Sequence, residues 1–411
     1  MTGASGARAV PAWVGALLAT FVMQTVAAFL SRALPVLGPA LTDRAGVPAE
    51  WIGHLSSAVS AGTVWFLLGG NSLLPRFGPV RLLQAGTLVA AVAVILATWG
   101  SWPALLLASL LIGIGYGPSP PAGSDILARH APARHRGLIF SVKQAGVPLG
   151  GALVGLMVPP LFLAFGVPVA LTAVAFVALL AVVAVQPLRA GIDADRDPRR
   201  PARFRDFLAP RSLVEPVAAM RLSPLMPVLT YTGACFAVAQ GILFAFFVTY
   251  ATEAVGLSFT EAGLAFAVMQ AVGVVSRVVM GWVADRLGSA LLTLVILAGT
   301  SSVATASLAF LDASWPAWIM LPVCGLIGIA IASWNGVILA EVAHQAPRGQ
   351  AGPATAGATV FTFIGYVVGP SAFALLVQAT GDWRLSHLLV ALAPASAGVA
   401  LLFALRAGRG R

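Results

Sequence analysis

The sequence predicts an all-α integral membrane protein, with twelve transmembrane helices in two pseudo-symmetric six-helix bundles. Three observations carry that prediction. Of 411 residues, 59% are hydrophobic and 9% charged, whereas a soluble domain carries roughly 25% charged residues. The apolar residues fall into runs of about 20, the length a helix needs to cross a hydrocarbon core about 30 Å thick. The arginines, finally, gather on alternate loops. Only helices satisfy their own backbone hydrogen bonds at such hydrophobicity.

Taken in order, the first six spans cover roughly residues 11–36, 50–72, 80–99, 104–127, 137–160 and 168–186,. The second six cover roughly 225–251, 261–284, 290–311, 316–342, 354–378 and 385–405,. The first run, preceded by Arg8, is too long for a signal-peptide core and has no convincing cleavage site, so it reads as a retained span,. Gly113, Gly115, Gly117, Pro118, Pro120 and Pro121 predict a kink or unwinding in span four,. Gly365, Gly369 and Pro370 predict something similar in span eleven,.

The stretch from Pro187 to Pro224 is the one long polar segment. It divides the chain into residues 1–186, a linker at 187–224, and residues 225–411. Its prolines and mixed charge suit a solvated tether, or a tether with a short surface helix on anionic lipid. With the N-terminus in the cytoplasm, the inner side collects Arg8, Arg76, Arg81, Arg129, Arg134 and Arg136, eight linker arginines, and Arg286, Arg348, Arg406, Arg409 and Arg411. The outer side receives Arg44 and Arg384. That partition obeys the positive-inside rule, and losing one span would scramble it.

The two halves repeat each other. The loop after span eight carries Gly281, Asp285, Arg286 and Gly288, and the loop after span two carries Asn71, Pro75, Arg76 and Gly78 at the same spacing. On these residues and the six-plus-six layout the chain resembles the major facilitator superfamily over nearly its whole length. The G-x-x-x-D-R-x-G signature is intact in the second copy; in the first, Asn71 replaces the glycine and Pro75 the aspartate. Glu341 with Arg348 and Gly349 resembles a second family pattern after span ten. Asp125, Arg129, Arg136 and Gly137 resemble its counterpart after span four. The resemblance implies alternating access, with Asp125, Arg129, Asp285, Arg286, Glu341 and Arg348 as gating or coupling residues. A carboxylate facing a helix N-terminus and arginines pairing across halves supply the physics. Topology and loop solvation are the plainer reading of the same charges.

Three cations lie inside apolar runs: Arg32 in span one, Lys143 in span five and Arg277 in span eight. Lys143 is the only lysine in the chain. A charge at membrane depth costs about 2.5–3.5 kcal/mol on insertion scales, so it marks a partner or a pathway. No carboxylate sits at comparable depth in the sequence, so the partner predicted is an anionic ligand. Arg277 shares a helical face with Gln270, Gly273 and Gly281 and sits about 12 Å along the helix from Asp285. Its spacing to Gly281 resembles the arginine that grips a carboxylate in monocarboxylate and oxalate carriers. Where those monocarboxylate carriers have an aspartate one turn earlier, this chain has Gly273. Lys143 faces Gly146 and Gly150, with snorkelling to the cytoplasm or contact with Asp125 as alternatives. Arg32 meets an anion entering from outside or reaches headgroups.

Further polar groups complete a candidate binding set of Arg277, Lys143, Arg32, Gln144, Gln240, Asn335, Thr359 and Tyr366. Span eleven carries Thr355, Thr359, Thr362 and Tyr366 as a stripe, span seven Gln240 among Phe236, Phe244 and Phe247, span ten Asn335 beside Trp334. These suit a cavity whose apolar walls hold a carbon skeleton, although threonines also bond their own helix carbonyls.

The predicted function is therefore secondary transport of small organic anions, carboxylates first, across the bacterial cytoplasmic membrane. Coupling to protons and exchange of anions both remain open. No cofactor, catalytic residue or metal site is expected: the histidines and Cys235 and Cys324 form no ligand pattern, and no Walker loop occurs,. Partners are the anionic substrate and the bilayer, with protons as candidate coupling ions; nucleic acid is not expected, and the carrier is expected to be a monomer. The rival within transport is efflux of drugs or other neutral or cationic solutes. An enzyme would need a nucleophile and base, which are not found; a sensor would need a larger extramembrane domain.

Overall fold

The protein is described by a computed structural model covering residues 11–132, 136–201, 210–347 and 350–409. All regular structure among the described residues is helical. Membrane-length helices run Ala12–Val36 (α1), Ala49–Gly69 (α2), Pro79–Trp99 (α3) and Trp102–His130 (α4). The continuous helical segment Arg136–Ile192 is divided at Gly166, whose φ of 78° and ψ of 178° leave the helical region. It therefore contributes α5 before Gly166 and α6 after it. Then come Met226–Val255 (α7), Phe259–Ala284 (α8), Ala290–Phe310 (α9), Ala317–Gln345 (α10), Ala354–Thr380 (α11) and Trp383–Ala407 (α12). Each coincides with an apolar run read from sequence, because the apolar length the bilayer demands fixes each helix.

Helix pairing repeats with a shift of six. In the first group α1 packs on the α5–α6 segment, α2 on α4, and α3 on the α5–α6 segment. In the second α7 packs on α11, α8 on α10, and α9 on α12. Between groups, α5 meets α8 and α2 meets α11. The α5–α8 seam is tight because Gly155 and Gly263 face each other's backbones; a Cβ at Gly155 would sit 2.9 Å from the Gly263 carbonyl oxygen. Small residues permit such approach where no hydrophobic effect drives helices together.

Hydrogen bonding breaks at Gly117–Pro118 inside α4, as the glycines and prolines predict. It also breaks at Ser333 inside α10, which the sequence did not announce. In α11 the outcome differs from expectation. Ala351–Thr380 is one continuous helix with Pro370 inside it. Gly365 and Gly369 serve instead as contact points on α7, against Ala234 and Val238.

One end of the bundle is closed. There His54 Nδ1 lies 3.0 Å from the Ser371 hydroxyl, and the Ser371 amide donates to Ser57 Oγ at 3.0 Å. Gly53 fits against the Phe246 ring and the Pro370 carbonyl. The opposite end, which carries the short helix Pro210–Ala219, is open.

Candidate functional site

A cavity of about 2180 Å³ runs from Pro35 and Pro370 near the closed end to Ser72, Ser289 and His344 at the open end. Single-ligand pockets span about 300–1,000 Å³, so this is a vestibule leading to a narrower site. Arg32, Lys143, Gln144, Gln240, Arg277, Asn335, Thr359 and Tyr366 all line it. The predicted binding set is thus brought together around one space, with contributions from α1, α5, α7, α8, α10 and α11.

Arg277 donates from Nε to the Ala332 carbonyl at 3.2 Å and from Nη1 across the α5–α8 seam to the Gln144 carbonyl at 3.2 Å. Ala332 offers that carbonyl where α10 breaks at Ser333. Lys143, 3% exposed, donates from Nζ to Gln144 Oε1 at 3.3 Å and to the Ser119 carbonyl at 3.5 Å, both long contacts. Its stem lies on Gly123, where any Cβ would crowd the Lys143 Cε. Asp125 does not neutralise it. That carboxylate pairs with Arg129 at 2.6 Å instead.

Arg32, 8% exposed, places its guanidinium 4.3 Å from the centre of the Phe244 ring. Its Nη1 makes long contacts to Ser31 Oγ at 3.3 Å and the Ala28 carbonyl at 3.5 Å. Arg32 and Arg277 line the same cavity as Tyr116 and Tyr366. Among the described residues, none of these three cations has a carboxylate partner.

Gln240 is oriented by two donors onto Oε1, the Tyr366 hydroxyl and Asn335 Nδ2, the latter at 3.4 Å. Its Nε2 is left buried and unpartnered, as are Arg32 Nε and Trp334 Nε1. These three nitrogens are donors on cavity-lining residues. A ligand that relieves them must bring acceptors. The threonine stripe contributes less than its spacing suggests, because the Thr359 and Thr362 hydroxyls donate back to Thr355 and Ala358 at 2.7 and 2.9 Å.

Sequence reasoning passed over Tyr116, Ser119 and Phe363. Ser119 Oγ donates to Gln24 Oε1 at 2.9 Å, and Gln24 Nε2 to the Tyr116 hydroxyl at 3.2 Å. The signal for Phe363 was available, since it lies one turn before Tyr366 on α11. Ser119 gave none, because the break in α4 decides which way it points.

The gating set is only partly assembled. Arg129 adds a second bond to Asp195 at 3.3 Å. Glu341 accepts from Gln345 Nε2 at 2.7 Å, near the mouth. Arg286 lies 5.6 Å from the Trp282 ring centre. Arg348 and the Asp285 side chain lie outside the described residues. Where the first loop has Pro75, a carboxylate arrives from elsewhere: Asp193 accepts from the Val80 and Arg81 amides at 2.9 and 3.1 Å, at the start of α3. Burial pushes its carboxyl up to about 6, against the Val80 hydrogen bond and the nearby Arg189 and Arg129 charges.

Known proteins agree with this architecture. An uncharacterized MFS-type transporter of Mycobacterium tuberculosis is 26% identical over 343 residues, covering 82% of this chain and 74% of its own. A probable chloroplastic anion transporter of Oryza sativa subsp. japonica is 37% identical over 84 residues, 20% of this chain and 18% of that one. A 4-hydroxybenzoate transporter of Pseudomonas aeruginosa is 28% identical over 137 residues, 33% of this chain and 31% of that one. In fold the protein is similar to a bacterial homolog of the human lysosomal transporter Spinster, with TM-score 0.72, 16% identity and 98% of each chain covered. The family model for the Major Facilitator Superfamily matches residues 13–356, and the chain belongs to that family of multi-pass membrane transporters.

Proposed function

We propose that the protein is a secondary active transporter of small organic anions, carboxylates above all, working by alternating access. The single observation that carries this reading is the cavity bearing Arg32, Lys143 and Arg277 without a described acid beside any of them. Buried charges left unpaired cost several kcal/mol each, roughly, so a counter-anion is the species such a site selects. The planar fork of Arg277 suits a carboxylate, which it can hold through two parallel bonds. The names of two relatives, an anion transporter and a 4-hydroxybenzoate transporter, support the same class.

In this reading residues 1–186 and 225–411 rock about the site, joined by the linker at 187–224. Both ends face the cytoplasm of a bacterium, the carrier works as a monomer, and the open end of the cavity is the inner one. A proton or a counter-anion supplies the driving force. Asp125, Arg129, Asp285, Arg286, Glu341 and Arg348 steady the alternation at that face.

The rival, efflux of a cationic or neutral solute, needs an acid deep in the cavity. Glu341, the described carboxylate on its lining, lies near the mouth and is already held by Gln345. Thermal unfolding of the purified carrier against mono-, di- and aromatic carboxylates tests the proposal, because a ligand stabilises the state it binds. Dose-dependent stabilisation by a carboxylate is expected. Stabilisation by cationic drugs and by no carboxylate would overturn it.

A further inference from the structure

We propose that Gln240 of α7 is a specificity-determining residue, and that the anion carried bears an uncharged acceptor oxygen, an oxo group, within its carbon chain. The inference rests on the anion reading above and narrows it. Gln240 lines the cavity yet is itself 1% exposed. Two donors, the Tyr366 hydroxyl of α11 and Asn335 Nδ2 of α10, hold its Oε1. The amide cannot turn over without losing both bonds, so it presents Nε2 as a donor. That nitrogen is buried and has no partner among the described residues. A buried donor left unmade costs more than a made hydrogen bond returns, so a ligand that supplies the acceptor gains on both counts.

The surroundings say what kind of acceptor fits. Phe244 stands one turn beyond Gln240 on α7, about 6 Å along the axis at 1.5 Å per residue. It carries the Arg32 guanidinium 4.3 Å from its ring centre. Asn335, in turn, follows by three residues the Ala332 carbonyl that accepts from Arg277 Nε. The amide thus stands apart from both guanidiniums, and its own bonded neighbours, Tyr366 and Asn335, are uncharged. A second carboxylate placed here would be a buried charge without a cation, which is costly. A hydroxyl would bring a hydrogen of its own, and Oε1 already accepts twice, the full capacity of an amide oxygen. A carbonyl oxygen brings an acceptor and asks for nothing more.

The test measures two pairs of acids by titration calorimetry on the purified full-length carrier: 4-oxopentanoate against pentanoate, and 5-oxohexanoate against hexanoate. Burial alone favours the parent acids, because a carbonyl gives up hydration that a methylene lacks. A preference for an oxo acid therefore reports the donor. At least one oxo acid is expected to bind roughly fivefold tighter than its parent. Gln240→Met keeps the length of the side chain without the donor and should bring that ratio to one or below. Tyr366→Phe frees the amide to turn over and should narrow the ratio partway, which keeps the test open should Gln240→Met not fold. No preference for the oxo acid in either pair, with the acids still binding, would overturn the role of Gln240 and leave the anion reading standing. A preference that persists in Gln240→Met would overturn it as well, making the amide a strut between α7, α10 and α11. Failure of all four acids to bind the wild type would instead sink the anion reading, and this inference with it.

Discussion

Arg277 of α8 donates to the carbonyl of Gln144 on α5 at 3.2 Å, one residue from Lys143, so the guanidinium spans the seam between the two helix groups. Above this bond the α5–α8 seam is shut by Gly151, Gly155 and Gly263; below it the cavity opens. The Gln144 carbonyl is a neutral acceptor, whereas a carboxylate brings full opposite charge and can take two parallel bonds from the guanidinium. An arriving anion therefore competes with the strap itself.

The first prediction separates charge from fork. Arg277→Gln removes both and should lower carboxylate affinity by about 10- to 150-fold, the worth of a charged hydrogen bond of ~1.5–3 kcal/mol. Arg277→Lys keeps the charge without the planar fork and should fall between. Titration calorimetry on monodisperse protein checks both. A lysine variant as tight as wild type would show that charge alone matters.

Lys143 should behave oppositely in stability and in binding. Its ammonium makes only two long contacts, at 3.3 and 3.5 Å. Replacing a poorly compensated buried charge by an apolar side chain of similar volume is often neutral or stabilising by about 1–4 kcal/mol. Lys143→Met should thus leave the unfolding temperature of the ligand-free carrier unchanged or raised, while carboxylate affinity drops. A large fall in unfolding temperature would make Lys143 a structural strut.

Asp193 gives the pH dependence. Its carboxyl rises from 3.8 to about 6 on folding, so the folded state binds the extra proton between those values. The stabilisation is complete below pH 3.8 and is lost as pH rises through 6. Asp193→Asn should flatten the wild-type decline in unfolding temperature across that window. Parallel wild-type and variant curves would show that another group sets the slope.

How far the sequence reached depends on which kind of force fixes each feature. The twelve helices were legible because bilayer thickness imposes one length on every apolar run. Arg32, Lys143 and Arg277 were legible because a cation without a nearby acid stands out at low charge density. Asp193 was hidden in a charged stretch whose composition reads as tether, and its role depends on α6 ending beside α3. The Gln144 carbonyl could not be read at all, since every residue has one. The stripe of Thr355, Thr359 and Thr362 lines the cavity, and each hydroxyl also bonds the preceding turn, the alternative its helical spacing left open,.

The closed end supplies the last prediction. Gly53 of α2 lies against the Pro370 carbonyl and the Phe246 ring so closely that a methyl group there would meet both. The carbonyl belongs to a helix backbone and cannot step aside as a side chain would. Overpacking of this kind costs about 1–3 kcal/mol, but only while α2 and α11 are in contact. Gly53→Ala should therefore favour the state in which this end is open, by about 5- to 150-fold. Ser57→Ala removes the acceptor for the Ser371 amide at the same seam and should act in the same direction, by ~1 kcal/mol,. Spin labels at Asp43 and Ala313, both exposed at this end, would report the change as a longer interlabel distance in the variants. An unchanged distance distribution in Gly53→Ala, with the protein folded, would mean that the two groups of helices do not part along the α2–α11 seam.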